Sequence, residues 1–204
     1  MAGDAGPGGF LRALALPRGE RGWDLAWGDL EGDGRALALP WRPPEVWAAG
    51  VTYEASEGAR RRESKHGALY ASVYSASRPE LFPEATAGRV RGPGEPVGLR
   101  PDSQWQVPEP EVALVLGAGG RIVGISAAND MSCRDIEGES PLYLPQGKVY
   151  DGACAIGPAV RLVLRPSEAV RAREVAMRVW RGEREVFAGT TRTDRMVRSE
   201  TVAD

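Results

Sequence analysis

One segment of the chain joins a pair of acids to an apolar run: Pro108-Glu109-Pro110-Glu111-Val112-Ala113-Leu114-Val115-Leu116. The apolar and β-branched residues predict a strand, and side chains alternate along a strand, so the two glutamates are expected on one face. Pro110 fixes its own φ and biases Glu109 towards an extended conformation. Two neighbouring carboxylates cost free energy unless they share a cation or a proton. The pair is therefore a candidate metal site, and an exposed, solvated strand start is the alternative.

Outward from this segment, a second apolar run predicts a strand that returns along the first. Ile122 to Ser126 is strand-like, and Gly117 to Gly120 forms the expected hairpin loop. The return strand is expected to reach Asn129, which brings Asp130 near the glutamate pair. Three carboxylates from neighbouring strands make a hard oxygen site for Mg²⁺ or Mn²⁺. Alternatively, Asp130 caps a turn that begins at Met131.

The flanking sequence predicts further short elements. Val46 to Val51 is typical of a strand, and Glu54 to Ser77 has the apolar spacing of a helix. Val175 to Trp180 and Glu185 to Ala188 predict another hairpin. The fold class expected from these elements is mixed and mainly β, with a few short helices.

Two parts of the chain differ in amino-acid composition. Residues 1–42 are punctuated by glycine and proline and are interpreted as a small, strand-rich N-terminal lobe. Residues 43–204 then form the main domain.

The composition excludes several functional classes. A net charge of −2 favours neither nucleic acid nor a membrane surface as partner. No apolar stretch approaches the roughly 20 residues of a membrane span, and no signal peptide is recognisable, so a cytoplasmic protein is expected. The single histidine, His66, rules out a histidine-rich zinc site. Cys133 and Cys154 have no metal-binding or redox spacing.

The basic residues are strongly biased towards arginine. Lysine accounts for only two of the 26 basic residues, at Lys65 and Lys148. A chain with this bias is expected to keep a lysine where a compact ammonium is needed in place of a planar guanidinium. Lys148 lies in an uncharged segment rich in proline and tyrosine, so it is the stronger functional candidate.

Three motifs together resemble the metal-site signature of the fumarylacetoacetate hydrolase superfamily: Glu109-Pro110-Glu111, Asn129-Asp130-Met131-Ser132-Cys133-Arg134-Asp135 and Gly157-Pro158. The resemblance covers roughly residues 46–200. It implies a β-roll or sandwich, usually assembled as a homo-oligomer. It also implies that Glu109, Glu111 and Asp130 bind a divalent metal, Mg²⁺ or alternatively Mn²⁺ or Ca²⁺. Arg134 either pairs with a substrate carboxylate or is structural through Asp135.

A narrower resemblance concerns the substrate. Two stretches are similar to the 2-keto-3-deoxy-arabinonate dehydratase branch: Arg78-Pro79-Glu80-Leu81-Phe82 and Pro141-Leu142-Tyr143-Leu144-Pro145-Gln146. This implies a metal-dependent dehydratase that converts a 2-keto-3-deoxy-pentonate, a small 2-keto acid, to 2,5-dioxopentanoate through an enolate. The resemblance assigns catalytic roles to Lys148, beside the metal, and to Glu80, as a proton carrier.

The sequence also departs from its relatives. Pro83 and Glu84 stand where the dehydratases have a second aromatic residue and a lysine, and Ser56 stands where carbon–carbon hydrolases have a histidine. Relatives continue past the point that matches Asp204, so the catalytic domain is expected to be incomplete at its C-terminus. The alternatives are another reaction on a 2-keto acid (acylpyruvate or fumarylacetoacetate-type hydrolysis, oxaloacetate decarboxylation or dienoate isomerisation) and a non-catalytic remnant.

Overall fold

The computed structural model describes residues 39–53, 66–163 and 173–196. The predicted N-terminal lobe lies almost wholly outside these residues, as do Ser56, Lys65 and the first half of the predicted helix. The division into a lobe and a main domain therefore stays a prediction.

A four-stranded sheet forms the centre of the described structure. Its strands are β3 Val90–Arg91, β4 Gln106–Leu116, β5 Ile122–Cys133 and β6 Cys154–Leu162. They lie in the order β3-β6-β5-β4. Strand β3 pairs parallel with β6, whereas β6 with β5 and β5 with β4 are antiparallel.

The predicted hairpin is strands β4 and β5, and both are longer than the sequence indicated. Glu109 and Asp130 are direct partners across the ladder. Strand β5 continues through Met131 to Cys133, so the alternative turn at Met131 is wrong. The loop places Gly119 and Gly120 at φ of 73°, which glycine adopts without a steric cost.

Two smaller antiparallel sheets flank the central one. Strand β1 (Glu45–Gly50) pairs with β2 (Glu80–Thr86), and β7 (Glu174–Arg181) pairs with β8 (Arg184–Arg192). The strand predicted from Val46 and the hairpin predicted from Val175 are both confirmed.

Helical structure in the described residues is limited to short elements. Helices α1 (Gly67–Ser75), α2 (Arg134–Glu139) and α3 (Leu144–Lys148) are accompanied by single 3-10 turns. None of the described helices is both long enough and apolar enough to cross a bilayer. The prediction of a mainly β fold with a few short helices is confirmed.

The main apolar core joins strand β2 to the central sheet. Ala85 of β2 packs with Val90, Cys154 and Ile156, and partly buried residues such as Ala128 of β5 close the cluster. Removing this apolar surface from water is the principal force that holds the small sheet in place. As a result, one face of β2 is held against the region of β5 and β6 where the acidic residues lie.

Candidate functional site

The ammonium group of Lys148 is the centre of a buried polar cluster. Lys148 is 2% exposed, and its Nζ donates to Asp130 Oδ2 at 2.5 Å, Ser132 Oγ at 2.6 Å and Glu109 Oε2 at 2.9 Å. These bonds use all three ammonium hydrogens. A lysine is rarely buried to this degree unless its charge is paired, and here two carboxylates pair with it.

The hairpin register brings the acceptors of Lys148 together. Glu109 and Asp130 lie opposite each other in the ladder, and Ser132 lies two residues beyond Asp130 on the same face. Helix α3 supplies the lysine from its last position. A Cβ at Gly147 would lie 3.3 Å from the Cys133 carbonyl oxygen, so glycine lets α3 pack close to the end of β5.

A second cation contacts the same carboxylate. Arg134 Nη2 donates to Glu109 Oε1, while Lys148 takes the other oxygen of Glu109. Asp135 instead accepts from Ser103 Oγ at 2.6 Å and from the Gln104 amide at 2.7 Å. Arg134 is therefore part of the acidic cluster through Glu109.

The cluster shifts the protonation of its members. Burial alone lowers the pKa of Lys148, but the charges of Glu109 and Asp130 outweigh it and raise that pKa above its ordinary value. Burial raises the pKa of Asp130, with Lys148 opposing and Glu109 adding to the rise. In the absence of another cation, Lys148 therefore remains an ammonium at neutral pH.

Glu84 of strand β2 is a further acid at this cluster. Its side chain is 2% exposed, and within the described residues neither carboxyl oxygen has a hydrogen-bond partner of normal geometry. Burial, followed by the charge of Asp130, raises the pKa of Glu84 to about 9. Two residues earlier in the strand, the ring centroid of Phe82 lies 5.8 Å from Lys148 Nζ.

This raised pKa predicts that Glu84 destabilises the metal-free fold increasingly as the pH rises. The raised pKa means that the folded chain keeps a proton which the unfolded chain loses, so stability falls as the pH rises from about 4.5 to about 9. Glu84→Gln removes this cost. In EDTA, its Tm is expected to exceed that of the parent by roughly 5 °C more at pH 8 than at pH 5. Equal Tm differences at the two pH values would contradict the buried, protonated carboxyl.

The other two predicted acids lie on strands β4 and β2. Glu111 lies two residues from Glu109 on β4, and its charge adds to burial in raising the pKa of Tyr53 to about 12. Glu80 begins β2 on the same face as Phe82, by alternation along the strand. All five predicted site residues are thus on the elements around the cluster, with Lys148, Glu109 and Asp130 in direct contact.

Two residues of the cluster were not predicted from the sequence. Ser132 was given no role, and Glu84 was noted only as a departure from the resembling dehydratases. The alternation of β5 could have found Ser132, because it lies two residues after Asp130. For Glu84 the available signal was spacing along β2: Glu80, Phe82 and Glu84 follow one another at intervals of two residues. That signal does not show which face of β2 is buried.

The carboxylates of the cluster are chemically suited to bind a divalent cation. Among residues 39–53, 66–163 and 173–196, no three acidic, histidine or cysteine side chains are already arranged as metal ligands. However, Glu109 and Asp130 converge on one cation, the Lys148 ammonium, and Glu111 shares the face of Glu109. Carboxylate oxygens are the ligands that Mg²⁺, Mn²⁺ and Ca²⁺ prefer.

Comparison with known proteins is consistent with this arrangement. The model of the fumarylacetoacetate (FAA) hydrolase C-terminal family matches residues 46–201. The chain is 47% identical over 165 residues to a Haloferax volcanii protein named "Probable 2-keto-3-deoxyxylonate dehydratase". It is 41% identical over 172 residues to the 2-dehydro-3-deoxy-D-arabinonate dehydratase of Saccharolobus solfataricus. These matches cover 81% and 79% of the chain but 56% and 55% of the two relatives, so it spans little more than half their length.

Solved structures show the same similarity. The apo form of a 2-keto-3-deoxy-D-arabinonate dehydratase matches with a TM-score of 0.75 and 34% identity, over 93% of this chain and 67% of that one. The structure of 2-keto-3-deoxy-D-arabinonate dehydratase complexed with magnesium and 2,5-dioxopentanoate matches with a TM-score of 0.71 and 34% identity. That match covers 86% of this chain and 62% of the other.

Proposed function

The chain belongs to the fumarylacetoacetate hydrolase family, and on that basis we propose that it is a divalent-metal-dependent dehydratase of a 2-keto-3-deoxy-pentonate, with 2,5-dioxopentanoate as product. The observation that supports this most is the buried contact of Lys148 with Glu109 and Asp130. It places a proton-bearing cation beside two carboxylates suited to a metal. The names of the two similar dehydratases and of the magnesium complex support the substrate class.

Glu109, Glu111 and Asp130 would hold the metal, with Mg²⁺ proposed first and Mn²⁺ or Ca²⁺ as alternatives. A bound divalent ion supplies Lewis-acid stabilisation of the negative charge that develops on the 2-keto acid when its C3 proton is removed. Arg134 fixes one oxygen of Glu109, and Ser132 lies within 3.2 Å of Asp130 Oδ1 and 3.0 Å of Glu109 Oε2. These contacts orient the two carboxylates.

Lys148 and Glu80 would move the protons. Glu80 removes the proton from C3 of the substrate, and the C4 hydroxyl leaves as water after Lys148 Nζ donates a proton to it. This elimination leaves a C3=C4 double bond. Its shift to C4=C5, with a proton lost from C5 and one gained at C3, gives the enol of the C5 aldehyde, which tautomerises to the 2,5-dioxo acid, so the net change is the loss of one water. Proton transfer by positioned side chains of this kind contributes about 10²–10⁴-fold to a rate.

The position of Glu80 depends on a glycine in the neighbouring strand. Gly50 is the register partner of Glu80, and a Cβ at Gly50 would lie 2.1 Å from Glu80 Oε2. Gly50→Ala must therefore displace this carboxyl. If Glu80 removes the C3 proton, kcat is expected to fall about tenfold or more with little change in KM, because misplacing a catalytic group by about 1 Å can cost 10²-fold.

Steady-state kinetics of Gly50→Ala test the role of Glu80. Gly88→Ala is the matched control, since a Cβ at Gly88 meets no atom within 4 Å. A kcat for Gly50→Ala equal to that of the Gly88→Ala control would speak against Glu80 as the base.

The reaction itself is tested by identifying products from a set of 2-keto acids. The parent chain and Glu111→Gln are incubated with 2-keto-3-deoxy-pentonates, acylpyruvates, fumarylacetoacetate, oxaloacetate and a dienoate, each with Mg²⁺. Formation of 2,5-dioxopentanoate by the parent alone supports the dehydratase. Turnover of another substrate without this product would replace the dehydratase with that reaction. Metal binding with no turnover of any substrate would favour a non-catalytic remnant.

We further propose that the enzyme works in the cytoplasm as a homo-oligomer, with a small 2-keto acid as its ligand. Large apolar side chains on the hairpin of β7 and β8 support the oligomer. Trp180 is 55% exposed and Phe187 is 49% exposed, which is unfavourable for a surface that stays in water. Sedimentation velocity would show a single monomeric species if the assembly proposal were wrong.

A further inference from the structure

The site contains one acid that the proposed mechanism does not use. Glu84 is 2% exposed and lies two residues after Phe82, whose ring centroid is 5.8 Å from Lys148 Nζ. Among the described residues, no hydrogen bond of normal geometry reaches either Glu84 oxygen. Burying a polar group without a hydrogen-bond partner costs free energy. A buried carboxyl of this kind in a native protein therefore calls for an explanation, such as a bound ion.

The two cationic side chains of the cluster already donate hydrogen bonds to residues other than Glu84. The three hydrogens of Lys148 Nζ go to Asp130, Ser132 and Glu109, and Arg134 pairs with Glu109. Glu84 therefore receives no hydrogen bond from either cation. After burial, the charge of Asp130 is the largest cause of the raised pKa of Glu84, so the two carboxyls lie near each other.

Glu84 feels the charges of the two carboxylates that bind Lys148. Asp130 and Glu109 both raise the pKa of Glu84, and both contact the Lys148 ammonium. A divalent cation bound between these carboxylates would relieve the repulsion among them.

We propose that Glu84 supplies a fourth carboxylate to the divalent-metal centre, in addition to Glu109, Glu111 and Asp130. This inference rests on the metal centre of the proposed function. Affinity for a divalent ion rises with the number of charged oxygen ligands, and Ca²⁺ accepts more such ligands than Mg²⁺ does. The centre is therefore expected to bind Mn²⁺ and Ca²⁺ more tightly than a three-carboxylate site.

Direct titration with Mn²⁺ tests this without using enzyme activity. The free ion is measured by its electron paramagnetic resonance signal with the parent chain, Glu84→Gln and Glu84→Lys, and Glu111→Gln serves as the reference for a lost ligand. Glu84→Gln is expected to weaken Mn²⁺ binding at least tenfold. Glu84→Lys, which reverses the charge at this position, is expected to weaken it further.

The matched control is Glu137→Gln. Glu137 of helix α2 is 3% exposed, and its charge also reaches Asp130, but it is not proposed as a ligand. This variant removes one buried negative charge near the centre and is expected to change Mn²⁺ affinity less than threefold. Equal weakening in Glu84→Gln and Glu137→Gln would overturn the ligand role and leave only a general effect of charge.

The remaining outcomes separate this inference from the proposed function. If Glu111→Gln loses Mn²⁺ and Glu84→Gln binds as the parent does, the metal centre stands and the fourth carboxylate is wrong. If the parent does not bind Mn²⁺, the metal centre and this inference both fail. The Mn²⁺-induced rise in Tm provides a second measurement, since a ligand stabilises the fold that binds it. That rise is expected to be smaller in Glu84→Gln than in Glu137→Gln, provided both variants unfold cooperatively.

Discussion

Replacing Lys148 with methionine is expected to lower the rate of 2,5-dioxopentanoate formation by about 10³-fold or more. Methionine keeps much of the length and the apolar stem of lysine but removes the three donated hydrogen bonds to Asp130, Ser132 and Glu109. The proton donor proposed for the C4 hydroxyl disappears, which alone is worth about 10²–10⁴-fold. The two carboxylates also lose the cation that holds them together.

Lys148→Met is also expected to destabilise the metal-free fold. Breaking a buried ion pair by removing one partner typically costs about 3–5 kcal/mol, because the remaining charge stays buried and unpaired. Both carboxylates facing Lys148 are largely buried, with side chains 16% exposed for Glu109 and 12% for Asp130. Divalent metal should recover part of this loss, since the same carboxylates would hold it.

The measurement is kcat under saturating Mg²⁺, combined with denaturant unfolding in EDTA and in Mg²⁺. Lys65→Met changes the other lysine of the chain and is the matched control. Activity of Lys148→Met within tenfold of the parent would be incompatible with Lys148 as the proton donor.

Glu109→Gln is expected to remove both metal binding and activity. One oxygen of Glu109 accepts from Lys148 and the other from Arg134, so no isosteric amide can satisfy both donors. The amide nitrogen of glutamine would face a cationic donor, which is repulsive. Activity is expected to fall by about 10³-fold or more, the free energy of unfolding by about 3 kcal/mol, and Mn²⁺ affinity by at least 10²-fold.

The exposed Glu139 of helix α2 offers a matched control for this change. Glu139→Gln removes the same charge outside the cluster and is expected to behave as the parent does in kinetics, Mn²⁺ titration and unfolding. Unaltered Mn²⁺ affinity in Glu109→Gln would show that this carboxylate does not hold the metal.

The hairpin could be predicted because its information is local. Alternation along β4 places Glu109 and Glu111 on one face, and the glycines of the loop fix how β5 returns. The prediction ended β5 too early because Asp130 and Ser132 are polar and look like turn residues. They remain in the strand because the buried ammonium of Lys148 satisfies both of them.

The packing of Lys148 and Glu84 against the β4–β5 hairpin depends on tertiary contacts. No periodicity indicates that helix α3 ends against β5, and only the scarcity of lysine and the resemblance singled out Lys148. Likewise, the sequence shows Glu84 as a departure from relatives but not that its side chain is buried. The core formed by Ala85, Val90 and Cys154 decides that, because it holds β2 against the central sheet.

The most direct test of the account follows 2,5-dioxopentanoate formation by the parent chain through a cycle of metal removal and return. The purified chain is assayed with 2-keto-3-deoxy-pentonate in Mg²⁺, then after EDTA and desalting, then after Mg²⁺ is added back, with circular dichroism at each step. A metal-dependent dehydratase is expected to give product in the first and third states and none in the second, with the fold retained throughout. Product formation that persists after EDTA in the folded chain, or no product in any of the three states, would contradict a metal-dependent dehydratase.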